Sequence, residues 1–152
     1  MRHRRPLILV LLMLLVLIPL ASVQAGRQQS LILHHQEVVP EGSGNPNMYG
    51  QATLEVNSGK GELCYFMNIY LFPYYNWPPT GATINEAPAG MNGPVRVDLA
   101  PSFGPVGDTT VSDCLDIGKQ LARDIQKHPA HYYLLVTSED YPDGAARAQL
   151  SK

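Results

Sequence analysis

Two alternating runs meet at a Pro-Asp-Gly turn near the end of this chain, and they restrict what residues 129–150 can become. Tyr132, Leu134 and Val136 recur at every second position, Pro142-Asp143-Gly144 follows, and Ala146, Ala148 and Leu150 then alternate with Arg147 and Gln149. Period two is the spacing of a strand, because successive side chains leave opposite faces of the pleat. A turn rich in Pro, Asp and Gly between two such runs predicts a hairpin. The signature repeats upstream. Ala52, Leu54 and Val56 alternate with Thr53 and Glu55, Asn57-Ser58-Gly59-Lys60-Gly61 makes a turn, and Val95, Val97 and Leu99 alternate with Arg96 and Asp98. Residues 62–72 are apolar at nearly every position, which predicts a central strand covered on both faces. One helix interrupts this pattern. Ile117, Leu121 and Ile125 form a stripe, Lys119, Arg123 and Lys127 face away, Asp116 or Asp113 stands ready to cap the start, and His128-Pro129 stops it. Short strands about every ten residues predict an all-β chain. The expected architecture is a single-domain antiparallel Greek-key β-sandwich with one short helix near 116–127.

The first 25 residues read as a leader rather than as part of that domain. Arg2, Arg4 and Arg5 precede an apolar run from Leu7 to Leu20, and Val23-Gln24-Ala25 offers the small residues a signal peptidase reads. Cleavage before Gly26 is expected, leaving residues 26–152 as the mature domain. The alternative is a retained anchor, but the run contains Pro19 and is shorter than the ~20 residues of a spanning helix. The expected location is outside the cytoplasm: secreted, periplasmic or cell-surface, with no stable membrane insertion after cleavage. Removing the three arginines leaves eight Lys+Arg against 13 Asp+Glu, a net charge of −5. Such a surface gives no counterion-release drive toward nucleic acid and no attraction to anionic lipid. A domain of this size buries about two-thirds of its unfolded surface and is expected to stand as a monomer.

Cys64 and Cys114 both lie in the exported part, and an even count in an oxidising compartment predicts a disulfide. Cys64 falls mid-strand and Cys114 in the segment leading into the helix. Two buried free thiols, or one reactive thiol, are the alternatives. No pattern of Lys, Arg or His beside either cysteine would lower a thiol pKa.

The hairpin from Pro129 to Leu150 resembles the end of the CHRD domain, the module named after chordin. There a Pro-x-x-Tyr-Tyr-Val-x-Val-His-Thr strand is followed by Pro-Gly-Gly-Ala-Ile-Arg-Gly-Gln-Leu. The likeness extends through Gln36-Glu37-Val38-Val39-Pro40, Tyr49-Gly50-Gln51-Ala52-Thr53-Leu54 and Pro88-Ala89-Gly90-Met91-Asn92-Gly93-Pro94-Val95, in family order. It implies a sandwich similar to immunoglobulin-like or copper–zinc superoxide dismutase-like folds. Many members carry His-x-His before the Pro-Ala-Gly loop and a further His in the last hairpin. This chain has Thr83, Asn85 and Thr137 at those positions. Side chains two apart on a strand share a face, so three imidazoles there could hold a metal. Thr, Asn and Thr supply no such nitrogen ligands, and no cofactor or metal is expected.

The other histidines give no clear set. His34 and His35 are adjacent, and His128 and His131 flank Pro129 at the helix-to-strand junction. Ser138-Glu139-Asp140 reads as a polar connection and Glu86 as a solvated carboxylate. Phosphate loops, nucleophile elbows and His-Glu-x-x-His are absent. Tyr70, Phe72, Tyr74, Tyr75 and Trp77 concentrate aromatic side chains ahead of Pro78-Pro79. That segment either covers an open end of the sandwich or presents Tyr74, Tyr75 and Trp77 to a partner. The sequence therefore predicts a non-enzymatic exported module whose partner is an extracellular protein or a glycan. The alternatives are a metal-dependent dismutase-like enzyme and a carbohydrate-binding module using the aromatic loop.

Overall fold

The computed structural model describes residues 26–71, 78–99, 101–103 and 109–151. Eight strands and one helix follow in the order β1 (Arg27–His34), β2 (Met48–Asn57), β3 (Glu62–Leu71), β4 (Pro79–Glu86), β5 (Val95–Asp98), β6 (Thr109–Asp116), α1 (Lys119–Lys127), β7 (Tyr132–Ser138) and β8 (Ala146–Gln149). All neighbouring pairs are antiparallel, in the order β5-β4-β7-β8-β1-β2-β3-β6. The ladder is continuous, but β1 and β8 share only the pair His34–Arg147. At that narrow seam the sheet curls over into two facing layers, and the expected all-β antiparallel architecture is what forms.

The two layers enclose one core. Leu31 and Leu33 of β1, Ala52, Leu54 and Val56 of β2, and Leu63, Tyr65, Met67 and Ile69 of β3 point inward. They meet Ala82, Ile84, Leu134, Val136, Ala146 and Ala148 from the other layer. Each large apolar side chain buried this way contributes about 1.5–3 kcal/mol relative to exposure. A hydrogen bond crosses between layers as well, from the Tyr65 hydroxyl to the Leu99 carbonyl at 3.1 Å. Burial, and secondarily the charge of Asp113, push the Tyr65 phenol above its ordinary pKa.

Strand β3 corrects one expectation. Its inward residues are buried, but Phe66 on the opposite face is 46% exposed and Cys64, Asn68 and Tyr70 are half-buried. Nothing among the described residues covers that outer face, so β3 is covered on one side only. Its outward apolar side chains partner within the sheet instead: Tyr70 stacks on Tyr49 with centroids 5.0 Å apart. Three strands lie where no alternation pointed to them, β1, β4 and β6. The last carries Cys114 directly opposite Cys64 of β3, and the two are joined as a disulfide. The bond fastens β6, an edge strand among the described residues, to its neighbour β3.

Helix α1 closes one end of the core through Ala122 and Ile125. The Gln126 amide donates to the Val56 carbonyl at 2.6 Å, and the Tyr132 hydroxyl donates to the Asp124 carboxylate. Neither expected acid caps it. Asp113 is inside β6 and accepts from the Cys114 N–H, while Asp116 accepts from the Gly118 N–H at 2.9 Å. The chain turns at Gly118, whose φ of 78° lies in the left-handed region that glycine adopts without steric cost.

Candidate functional site

The three positions where the CHRD resemblance would place histidines lie on one face of the β4–β7 pair. Residues 81, 83 and 85 alternate outward on β4, opposite Thr137, Leu135 and Tyr133 of β7. Arg147 and Gln149 of β8 continue the row beside Leu135 and Tyr133. This is the face turned away from the core.

The structure joins two of the three positions directly. The Thr83 hydroxyl donates to Asn85 Oδ1 at 2.6 Å, and Asn85, only 5% exposed, donates from Nδ2 to the Gly93 carbonyl at 3.1 Å. Thr137 sits opposite Gly81, one pair along from Thr83. Its hydroxyl donates to the Gly81 carbonyl at 3.4 Å and lies 3.3 Å from the Thr80 hydroxyl. Diagonal neighbours in a sheet are about 7–8 Å apart, a span that long side chains cross and short ones do not. Thr137 thus shares the face with Thr83 and Asn85 without a hydrogen bond to either.

The face is roofed by the loop from Pro88 to Pro94. Arg147, 1% exposed, is its main anchor. Its guanidinium donates to the Met91 carbonyl at 2.9 Å, the Pro88 carbonyl at 3.3 Å and Gln149 Oε1 at 2.9 Å. It also lies 3.6 Å from the centroid of the Tyr133 ring, a cation–π contact. Burial lowers its pKa below the usual arginine value, with Tyr133 and Glu37 opposing that shift. Gln149 Nε2 reaches the carbonyls of Ala87, Ala130 and Tyr132. The Gly93 N–H donates to the Tyr133 hydroxyl at 3.1 Å. A Cβ on Gly93 would fall 1.9 Å from the Glu86 carbonyl oxygen, so the close approach of loop to strand needs a residue without one.

This anchor was not visible as such in the sequence, where Arg147 alternates as a solvent-facing residue of the last strand. The roof that buries it comes from a loop 56 positions away. The available signal was the Arg-x-Gln of the hairpin, present here as Arg147-Ala148-Gln149.

A cleft of about 510 Å³ opens beside the roof, lined by Asn85, Gly93, Tyr133, Leu135, Asp140 and Asp143 among others. Thr83 and Thr137 are not in its lining. Glu86, at the end of β4, pairs with Arg96 rather than standing free in solvent. Ser138 is buried in β7, whereas Glu139 and Asp140 are exposed.

Among the described residues, the only group of three close enough to hold a cation is Glu62, Cys64 and Cys114, and its two sulfurs are bonded to each other. His34 ends β1 on the outer face, and His35 begins a 3₁₀ turn. His128 closes α1, its N–H bonded to the Asp124 carbonyl, and its ring stacks on His131 at 5.6 Å. Tyr74, Tyr75 and Trp77 lie outside the described residues.

A comparison with protein families matches the CHRD domain over residues 29–150, from the first strand to the last hairpin. The chain belongs to the CHRD family. No curated protein and no solved structure gave a significant match. Within this CHRD domain the Pro-Ala-Gly loop and the Arg-x-Gln of the hairpin, distant in sequence, are one hydrogen-bonded unit. No helix among the described residues is long and apolar enough to cross a membrane.

Proposed function

We propose that residues 26–152 form an exported CHRD domain that works by binding or as a structural extracellular module, without catalysis. The observation that carries this reading is the engagement of the polar face of β4, β7 and β8. Thr83 is used by Asn85, Asn85 by Gly93, Thr137 by Gly81, and Arg147 by three acceptors. A catalytic site needs groups free to meet a substrate, with a nucleophile, base or metal in reach of one another. Here Asn85 and Arg147 hold the loop in place, and Thr83 and Thr137 are bonded within the β4–β7 pair. Family membership and the disulfide support an extracellular setting, and the basic, apolar and small-residue regions of residues 1–25 support export. The partner belongs to the extracellular proteins or glycans, and the chain acts as a monomer.

Expression of the full chain with recovery from outside the cytoplasm tests this. The expected product begins at Gly26 and shows no superoxide dismutation above the uncatalysed rate. A product retained at full length in the membrane, or catalytic dismutation, contradicts it.

A further inference from the structure

The cations of this acidic chain are not spread evenly. Three of them, Arg96, Arg123 and Lys127, line one cleft of about 540 Å³ between β5 and α1, a volume in the range of small-molecule sites. Only one acid, Asp124, joins them there, and its carboxylate already accepts a hydrogen bond from the Tyr132 hydroxyl. Arg96 is paired with Glu86. Arg123 and Lys127 are exposed and make no ion pair among the described residues.

The rest of the lining is apolar or neutral. Ile117 and Leu121 are partly buried against the core and form the floor, with Gln120 beside them. Residues three and four apart lie on one side of a helix, so Gln120, Leu121, Asp124 and Lys127 form one stripe. The cleft therefore follows the helix, and nine residues of helix measure about 14 Å. Apolar contact lies toward its start and unpaired positive charge toward its end. At Gly118 nothing lies within 4 Å of where a Cβ would be, so that end is open.

We propose that this cleft binds an elongated amphipathic organic anion, with its acyl or aryl body on Ile117 and Leu121 and its acidic head at Arg123 and Lys127. A fully polar anion would leave the floor unused. A neutral apolar ligand would leave two unpaired cations at its end. The assignment goes beyond the proposed binding module, because it depends on the cleft and not on export or on the loop-covered face.

Decanoate tests it, by calorimetric titration of the purified protein and by displacement of anilinonaphthalene sulfonate fluorescence. Saturable binding is expected, with decanol bound at least about tenfold more weakly, the scale of one charge-assisted contact. Arg123→Gln with Lys127→Gln should weaken decanoate by a similar factor, while Lys60→Gln leaves it unchanged. Both replaced side chains are exposed, so an unchanged thermal midpoint is expected to accompany the loss. Backbone amide shifts on decanoate addition should concentrate at residues 117–127. Absence of saturable binding, equal affinity for decanol, or insensitivity to the double substitution overturns the proposal. So does saturable binding of a sulfated polysaccharide lost in the same variant while decanoate does not bind, which would make the cleft a polyanion surface.

Discussion

Arg147 holds a position that its place in the alternation does not reveal. It is nearly inaccessible, yet its hydrogen-bond partners are neutral: two carbonyls of the roofing loop and the Gln149 amide. Truncation removes the guanidinium donor from the Met91 carbonyl and from Gln149 Oε1, while the Pro88 carbonyl keeps the Met91 N–H. Arg147→Ala is expected to cost about 3 kcal/mol, read as a lowered urea midpoint, because hydrogen bonds to charged groups are strong and orphaned partners are costly. Arg96→Ala removes a partly exposed ion pair with Glu86 and should cost no more than about 1 kcal/mol. Equal effects of the two substitutions would contradict the anchoring role. Tyr132 offers a second test at this scale. Burial first, then its hydrogen bond to Asp124, raise its pKa above the ordinary 10.0. The folded state therefore holds this proton more tightly than the unfolded state. The resulting stabilisation is fully present below pH 10.0 and is lost as pH rises beyond that value. Tyr65, raised by burial and by Asp113, shifts in the same sense. Chemical denaturation from neutral to alkaline pH should show stability falling above pH 10.0, less steeply in Tyr132→Phe. An unchanged slope in that variant would assign the loss to other groups.

At the scale of elements, strands with clean alternation were readable and strands with polar inward residues were not. Leu54 and Val56 announce β2, and Tyr132, Leu134 and Val136 announce β7, because these successive inward positions are apolar. Strand β1 has Gln29 buried at an inward position, its amide oxygen accepting from the Ser151 N–H, and β6 begins with Thr109 buried. Both positions break the period-two pattern. The face of Thr83, Asn85 and Thr137 was readable as a face through strand alternation, but the one-pair offset of Thr137 required the actual register. The loop that roofs it could not be read at all, since its contacts with β8 span more than fifty positions of chain. The disulfide was readable from cysteine count and compartment, though its role was not. It secures β6, an edge strand among the described residues, to its neighbour β3. Cys64→Ser with Cys114→Ser is expected to cost about 2–5 kcal/mol. Hydrogen exchange should accelerate most at the amides of β6. Uniform acceleration across all strands would argue that the bond acts on the whole fold alike.

The molecule as a whole is a CHRD domain in which a curled antiparallel sheet, closed at one end by α1, supports a loop-covered polar face. Its proposed biology rests on two separate things, the proposed export of residues 26–152 and a polar face from which Asn85 and Arg147 hold the roofing loop. The cleft along α1 adds a candidate ligand site on a different part of the fold. Native mass spectrometry of the protein recovered after export, without added chelator, tests the central claim most directly. The expected mass is that of residues 26–152 with one disulfide and no metal. One copper or zinc per chain, retained after dialysis, would contradict the account.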